Sequence, residues 1–322
     1  MNYLLIANPI SGPKKGQTTI HQKVLEQVEA EGHTATLVTT EYEGHGYELA
    51  LEALKSDFEV IVAIGGDGTV NEVARALVHS DKVLGIIPNG SGNGLARELQ
   101  IPLDTNAATK VLLENNRVTI DTCRANGEPF FVTCGIGFDG KISKEFAKSD
   151  ARGLTTYAKE AVTEYFNYRP NDYHLMIDEK EVTATAFLIA IGNASQYGNN
   201  AFIAPNASLT DGMLDITILK PFPHIEATKI AMQLFTKEIN KNEYTALYKG
   251  KHILIETPKK VNYHIDGEPK HKTDRLEIEV LPASLKVVNN KEGGHNRPVL
   301  DLLHLATSGL NEWTAGIIEL FK

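Results

Sequence analysis

Two glycine-rich turns carry most of the chemistry legible in this chain. Residues 65–69 read Gly65-Gly66-Asp67-Gly68-Thr69, directly after the apolar run Val60-Ile61-Val62-Ala63-Ile64. They lead into Val70-Asn71-Glu72-Val73-Ala74-Arg75-Ala76-Leu77, whose apolar residues recur at helical spacing. A buried strand that turns through glycines into a helix makes an anion site. Glycine lets the backbone come close, and the helix start offers free N–H groups and a positive dipole end. A carboxylate within such a turn would repel a bare phosphate. Asp67 therefore implies a metal ion, a water or a hydroxyl between itself and a nucleotide, which points to phosphoryl transfer rather than simple anion capture.

The second turn, Pro88-Asn89-Gly90-Ser91-Gly92-Asn93-Gly94, again follows a hydrophobic run and enters a helix. Ser91 can present a hydroxyl to a phosphate, and Asn93 can cap the helix. Alone, such a loop is read as a tight turn. Beside residues 65–69 on a neighbouring strand, a second phosphate-type turn is hard to explain structurally. A third loop, Asn8-Pro9-Ile10-Ser11-Gly12-Pro13-Lys14-Lys15-Gly16, ends the first strand-like run. Its Lys14 and Lys15 either meet phosphate charge or are solvated surface residues. Thr40 closes the second run, where it can donate to a ribose or phosphate.

These turns need a scaffold, and the first third supplies one. Strand-like runs at 3–7, 34–39, 60–64 and 83–87 alternate with helix-like stretches at 18–31, 46–54 and 70–78. The alternation predicts a doubly wound parallel sheet covered by helices on both faces. Ligands of open α/β sheets bind at the carboxyl ends of strands, so the turns at 8–12, 40–44, 65–69 and 89–93 should converge on one crevice. After about residue 119 the pattern changes to strands at 118–121, 130–133, 184–191, 214–219, 252–256, 261–265 and 276–280. Asn126-Gly127, Asp211-Gly212 and Asp266-Gly267 punctuate them. This half reads as an antiparallel β-sandwich with a helical insertion at about 140–168. The fold class is thus α/β plus β: a domain over 1–123 with a returning segment 287–322, and a β-rich domain over 124–286. From Val299, apolar residues at 299, 302, 303, 306, 310, 313, 317, 320 and 321 make one face of a long, nearly neutral helix that should dock on the first domain.

Composition narrows the partners. The 322 residues suggest two domains, and 42% hydrophobic with 23% charged residues is ordinary for a soluble protein. No apolar run is long enough to span a membrane, and the N-terminus reads as a strand rather than a signal peptide. Two cysteines make no disulfide framework, which favours a reduced, cytoplasmic protein. Cys123, Cys134 and the eleven histidines show no metal-ligand spacing. A net charge of −9 argues against nucleic acid and means that contact with anionic lipid needs a local basic face. Lys141, Lys144 and Lys148, at i, i+3 and i+7, form one such face, either simply solvated or set against a membrane surface.

Asn-Pro-x-Ser-Gly at 8–12, Gly-Gly-Asp-Gly-Thr-x-Asn-Glu at 65–72 and Pro-x-Gly-Ser-Gly-Asn at 88–93 occur in that order. Together they resemble the diacylglycerol kinase catalytic-domain family, which includes bacterial lipid kinases, sphingosine kinases and ceramide kinases. The resemblance extends to about residue 288. It implies an ATP-dependent, Mg²⁺-requiring transfer of the γ-phosphate to a lipid hydroxyl, as in phospholipid biosynthesis. The enzyme would be cytoplasmic and transiently at the membrane surface, and a homodimer is compatible with it. Asn8, Pro9, Ser11, Gly12, Thr40, Gly65, Gly66, Asp67, Gly68, Thr69, Asn71 and Ser91 would be its nucleotide contacts. Asp67 would also face the γ-phosphate.

Ile265-Asp266-Gly267-Glu268 matches a family motif whose acid deprotonates the lipid hydroxyl, with the choice between Asp266 and Glu268 open. From the residues alone, Asp-Gly between strands reads as a hairpin turn. Ser208-Leu209-Thr210-Asp211-Gly212-Met213 resembles the family's structural Mg²⁺ or Ca²⁺ loop, with the Asp211 carboxylate and the carbonyls of Ser208 and Met213 as ligands. Asp121 matches an acid of the family's water–metal network with Asp67, and Lys159 a lysine facing the cleft. Many bacterial members place an acid after Asn93, where this chain has Gly94, so Asp67 and Asp121 would carry that network. Competing readings are a kinase of a soluble acceptor such as NAD, and a non-catalytic nucleotide-binding membrane module.

Overall fold

Five branched or small apolar residues in a row, Val60 to Ile64, are all inaccessible to solvent. They sit at the centre of a parallel sheet, where both faces of a strand are covered. The computed structural model describes residues 1–11, 17–148, 164–165 and 167–291. Two compact units are present. One comprises Met1–Thr122, Leu209–Gly212 and the segment starting at Leu281; the other comprises Cys123–Ser208 and Met213–Val280.

In the first unit the order along the chain is β1 (Asn2–Ala7), α1 (Gln17–Ala30), β2 (Thr34–Thr39), α2 (His45–Ala53), β3 (Val60–Gly65), α3 (Asp67–Leu77) and β4 (Val83–Pro88). Then come α4 (Gly94–Glu98), α5 (Thr105–Glu114) and β5 (Arg117–Ala125), the last running on into the second unit. The strands pair in parallel in the order β2-β1-β3-β4. Ala7 lies opposite Thr39 and Ile64, and Gly65 opposite Pro88, so four turns leave the sheet at one level. The helix α5, absent from the sequence expectation, starts where the Asp104 side chain accepts from the Ala107 N–H at 3.0 Å.

The second unit continues with β6 (Glu128–Phe130), β7 (Thr133–Gly137), α6 (Phe138–Lys148), β8 (Asn171–Ile177), β9 (Lys180–Ala186), β10 (Leu188–Gly192) and β11 (Leu214–Leu219). After α7 (Ala227–Phe235) come β12 (Thr245–Gly250), β13 (His252–Val261), β14 (Tyr263–Ile265), β15 (Glu268–Pro269) and β16 (Thr273–Val288). An antiparallel sheet in the order β12-β11-β10-β7-β14-β15 faces a second layer built on β13, β8 and β9. Tyr173, Leu175, Ile189, Ile191, Ile216, Ile253, Leu276 and Ile278 belong to the buried cluster of this sandwich. The end of β16 returns to the first unit, where Lys286 and Val287 pair in parallel with Val83 and Leu84.

The expected strand at 184–191 is two strands. β9 ends at Ala186 and β10 begins at Leu188, with Phe187 joining them. A continuous apolar run does not reveal that its two halves join different sheets. The run 130–133 divides in the same way, between β6 and β7. Gly12, Lys14, Lys15, Lys159, most of the 140–168 insertion and the helix expected from 299 lie outside the described residues.

Candidate active site

Asp67 is the first residue of α3, just past the glycine pair that ends β3. Its carboxylate reaches across to the second glycine turn. Oδ2 accepts from the Asn93 N–H at 2.8 Å and Oδ1 from the Gly94 N–H at 2.6 Å. Burial pushes this carboxyl above its ordinary range, while the Gly94 and Asn93 amides and the nearby Arg97 charge act the other way. Asp67 therefore ties the two turns together, a use that residue type and spacing alone do not indicate.

Backbone contacts complete the joint. The Asn89 N–H donates to the Gly65 carbonyl at 2.7 Å. A methyl group on Gly90 would stand 2.5 Å from the Gly66 Cα, so only glycine lets the two chains pass. Within the second turn, Asn93 closes a ring: its side chain accepts from the Gly90 N–H at 3.0 Å and donates to the Gly90 carbonyl at 2.7 Å. Gly90→Ala is expected to force the turns apart and cost about 1–3 kcal/mol. A thermal melt with and without nucleotide would show both a lower midpoint and a smaller ligand-induced rise.

The first loop joins the same assembly. Asn8 donates from its amide to Thr69 Oγ1 at 3.2 Å and accepts from the Ile10 N–H at 3.0 Å. The Asn89 side chain donates to the Ser11 carbonyl at 3.0 Å. Thr69 and Thr40 are buried, Asn71 and Gly66 half-buried, and Gly68, Ser91 and Pro9 exposed. The helix start at Asp67, flanked by exposed backbone, thus lies among three loops.

In the second unit, Asp266 and Gly267 form the β14–β15 hairpin turn, both with left-handed backbone (φ 48° and 82°). That is the geometry for which Asp-Gly is suited. The Asp266 carboxylate accepts three backbone N–H groups, from Phe131 at 3.0 Å, Val132 at 2.9 Å and Thr133 at 3.1 Å. Behind the turn the Gly267 N–H donates to His264 Nδ1 at 3.2 Å. That assigns the proton to Nε2, which stands 3.1 Å from Asp139 Oδ2; the hydrogen bond to that oxygen comes from the Tyr197 hydroxyl at 2.6 Å. Glu268 is exposed, 3.7 Å from Lys270, whose closer partner is Glu128 at 2.8 Å.

Comparison with known proteins bears on this geometry. Residues 2–125 match the family model described as the diacylglycerol kinase catalytic domain. Residues 132–289 match the YegS C-terminal NAD kinase beta sandwich-like domain. Residues 2–125 thus form a diacylglycerol kinase catalytic domain. It is 29% identical over 293 residues to a "Probable lipid kinase YegS-like" of Yersinia pestis (strain Pestoides F), covering 88% of this chain and 95% of that protein. The same figures hold for the protein so named in Yersinia pseudotuberculosis serotype O:1b (strain IP 31758). A solved structure from Bacillus anthracis str. Sterne, titled a "putative diacylglycerol kinase", superposes with a TM-score of 0.74 at 25% identity, covering 90% of this chain and 98% of that one. The catalytic-domain match and the relatives named lipid kinase make the chain a kinase, which implies the use of ATP.

The diacylglycerol kinase motifs of the first unit come together as one loop assembly: Asn8, Ser11, Gly65, Gly66, Asp67 and Thr69 are linked directly or through Asn89, Gly90 and Asn93. Sequence reasoning gives Asn89 no role of its own and offers Asn93 only as a helix cap. Asn93 does not cap with its side chain; its backbone is left-handed and its amide instead closes the Gly90 ring. Asp121 accepts from the Gly212 N–H and the Ala283 N–H, both at 2.7 Å. Asp211 is exposed beside Gly212, with Ser208 and Met213 half-buried in the adjoining chain.

Mg²⁺ finds few protein ligands among these donors. Asp67 and Asp121 both direct their oxygens at backbone amides, and among the described residues no group of three or more His, Cys, Asp or Glu could hold a metal ion. The carboxylates thus do not fit a cage of their own for the ion.

Proposed function

We propose that the protein is an ATP-dependent lipid kinase that moves the γ-phosphoryl group of ATP to a lipid hydroxyl. The observation that carries this reading is the pair of glycine turns locked edge to edge by Asp67 at the start of α3. Such a joint presents rigid backbone N–H groups to a polyphosphate. In this reading Asn8, Pro9, Ser11, Gly12, Thr40, Gly65, Gly66, Gly68, Thr69, Asn71 and Ser91 contact the nucleotide. The triphosphate would bring any Mg²⁺ with it, since that ion favours phosphate oxygens and few protein ligands, and would gain charge neutralisation from it.

The second unit supplies the lipid pocket and the base. Of the two acids left open by sequence, Asp266 is the better candidate, because three amides fix its carboxylate whereas Glu268 is a surface residue. The lipid hydroxyl gives its proton to that carboxylate as its oxygen bonds to the γ-phosphorus. The bond from that phosphorus to the bridging oxygen breaks, and ADP leaves with the electron pair. The domains would run 1–123 with 287–322, and 124–286. The enzyme would work in the cytoplasm with passing contact to a membrane, and a homodimer is compatible with it. A diacylglycerol or a sphingoid-type lipid is the acceptor class in this reading; the name of the solved relative, a "putative diacylglycerol kinase", supports the first. Asp211 with the carbonyls of Ser208 and Met213 is the proposed structural Mg²⁺ or Ca²⁺ loop.

One observation favours a second reading, a soluble acceptor such as NAD: the match of residues 132–289 to a sandwich described as NAD kinase-like. Incubating the protein with γ-labelled ATP, Mg²⁺ and a total lipid extract, then partitioning the label, separates the two. Label in the organic phase supports the lipid kinase. Label transferred only to added NAD in the aqueous phase overturns it.

A further inference from the structure

We propose that the stacked side chains of Tyr42 and His45 form a platform for the base of the nucleotide, a role that rests on the ATP-binding reading above. Their rings lie 4.6 Å apart and 5° from parallel, in the loop that follows β2. Tyr42 keeps 54% of its surface exposed, although it is a large aromatic residue. A solvated aromatic normally gains rotamer freedom, yet this pair is held at several points. Tyr42 donates its hydroxyl to Glu48 at 2.6 Å, and the Glu41 N–H donates to His45 Nδ1 at 3.0 Å. Those bonds hold a flat aromatic face in place without covering it.

The loop itself is anchored to the helix that begins the phosphate site. Glu72 on α3 accepts from the Gly44 N–H at 2.7 Å and the Gly46 N–H at 2.9 Å. Further along the same helix, the Arg75 guanidinium lies 4.4 Å over the Tyr47 ring and pins the start of α2. Glu72 therefore ties the 40–46 loop to α3, whose first residue is Asp67.

Strand order gives the spacing. With β2-β1-β3-β4 in parallel and their ends level, the loop after β2 lies two strands from the turn after β3. At about 4.8 Å per strand that is roughly 10 Å, a separation suited to a ribose and its first phosphate. A polyphosphate at the glycine turns would thus carry its base toward Tyr42, past Thr40. Stacking on an aromatic side chain is worth about 1–3 kcal/mol per base and accepts any π-face. The hydrogen bond to Glu48 raises the pKa of the Tyr42 phenol and so keeps that ring uncharged.

The test compares a ligand with a base and one without. Full-length protein, wild type and Tyr42→Ala, is titrated with Mg²⁺-ATP and with inorganic tripolyphosphate. The platform predicts that Tyr42→Ala weakens ATP roughly 5- to 150-fold and leaves tripolyphosphate unchanged. Tyr42→Phe, which keeps the ring, should bind ATP as wild type does. Equal losses for both ligands would show that the variant only disturbs the loop, and unchanged ATP affinity would show that the rings do not meet the base; either overturns the platform alone. Wild type that retains neither ligand overturns the ATP-binding reading, and the platform falls with it.

Discussion

Asp67→Ala should lower kcat/KM for phosphoryl transfer by at least ~10²-fold, while the protein stays folded. The carboxylate is the acceptor for the Asn93 and Gly94 amides, so its removal leaves two N–H groups without partners and frees one turn from the other. Each abandoned amide costs about 1–3 kcal/mol. Relief of a buried charge offsets part of that, since burial holds this carboxyl above its ordinary range. Stability should accordingly fall by only a few degrees. Catalysis depends on fixed donors around the polyphosphate, and loss of one such preorganised element costs ~10²–10³-fold on its own. Steady-state kinetics beside a melting curve would check both halves. An active Asp67→Ala enzyme would remove the catalytic importance given to the joint.

The second large effect is expected at Asp266. Asp266→Asn should lower kcat by ~10²–10⁴-fold with little change in the KM for ATP, the range for loss of a general base. Asparagine tolerates the left-handed backbone of this position and keeps one oxygen for the amides of Phe131, Val132 and Thr133. Asp266→Ala lacks both advantages and should also lower the melting midpoint markedly, because three amides lose their acceptor and alanine is strained at φ 48°. The contrast separates chemistry from folding: asparagine loses rate, alanine loses rate and stability. Glu268→Gln serves as the comparison. If it, rather than Asp266→Asn, stops turnover, the base is Glu268.

The scaffold of the first unit was legible because its signals are local. Val60 to Ile64 are apolar without a break, glycines follow, and helical spacing resumes at once, so β3 and α3 fall close to their expected positions. The joint between the turns was not legible. Asp67 and its donors are 26 and 27 residues apart, and no spacing rule links a helix-start carboxylate to amides at that separation. The same holds for Asp266, whose three donors lie 133 to 135 residues earlier in the chain.

In the second unit β8 and β12 are hidden in the sequence because polar residues interrupt them. Asn171, Asp172 and His174 dilute the alternation of Tyr173, Leu175 and Ile177, which nonetheless point into the core. Phe187 shows the opposite failure, an apolar residue that breaks a strand instead of extending it. The hairpin at Asp266-Gly267 was readable as a turn from its dipeptide alone. The resemblance to the kinase family was needed to suggest that the same aspartate does chemistry.

The close passage of Gly66 and Gly90 has a consequence for how such a protein can change over generations. A side chain at Gly90 would stand 2.5 Å from the Gly66 Cα and needs the other turn to retreat, whereas one at Gly66 would stand 3.2 Å from the Gly90 Cα and needs a smaller adjustment. A single mutational step at Gly90 cannot tune one turn without moving the other. Change at this crossing therefore arrives in pairs, which keeps it as inherited hardware.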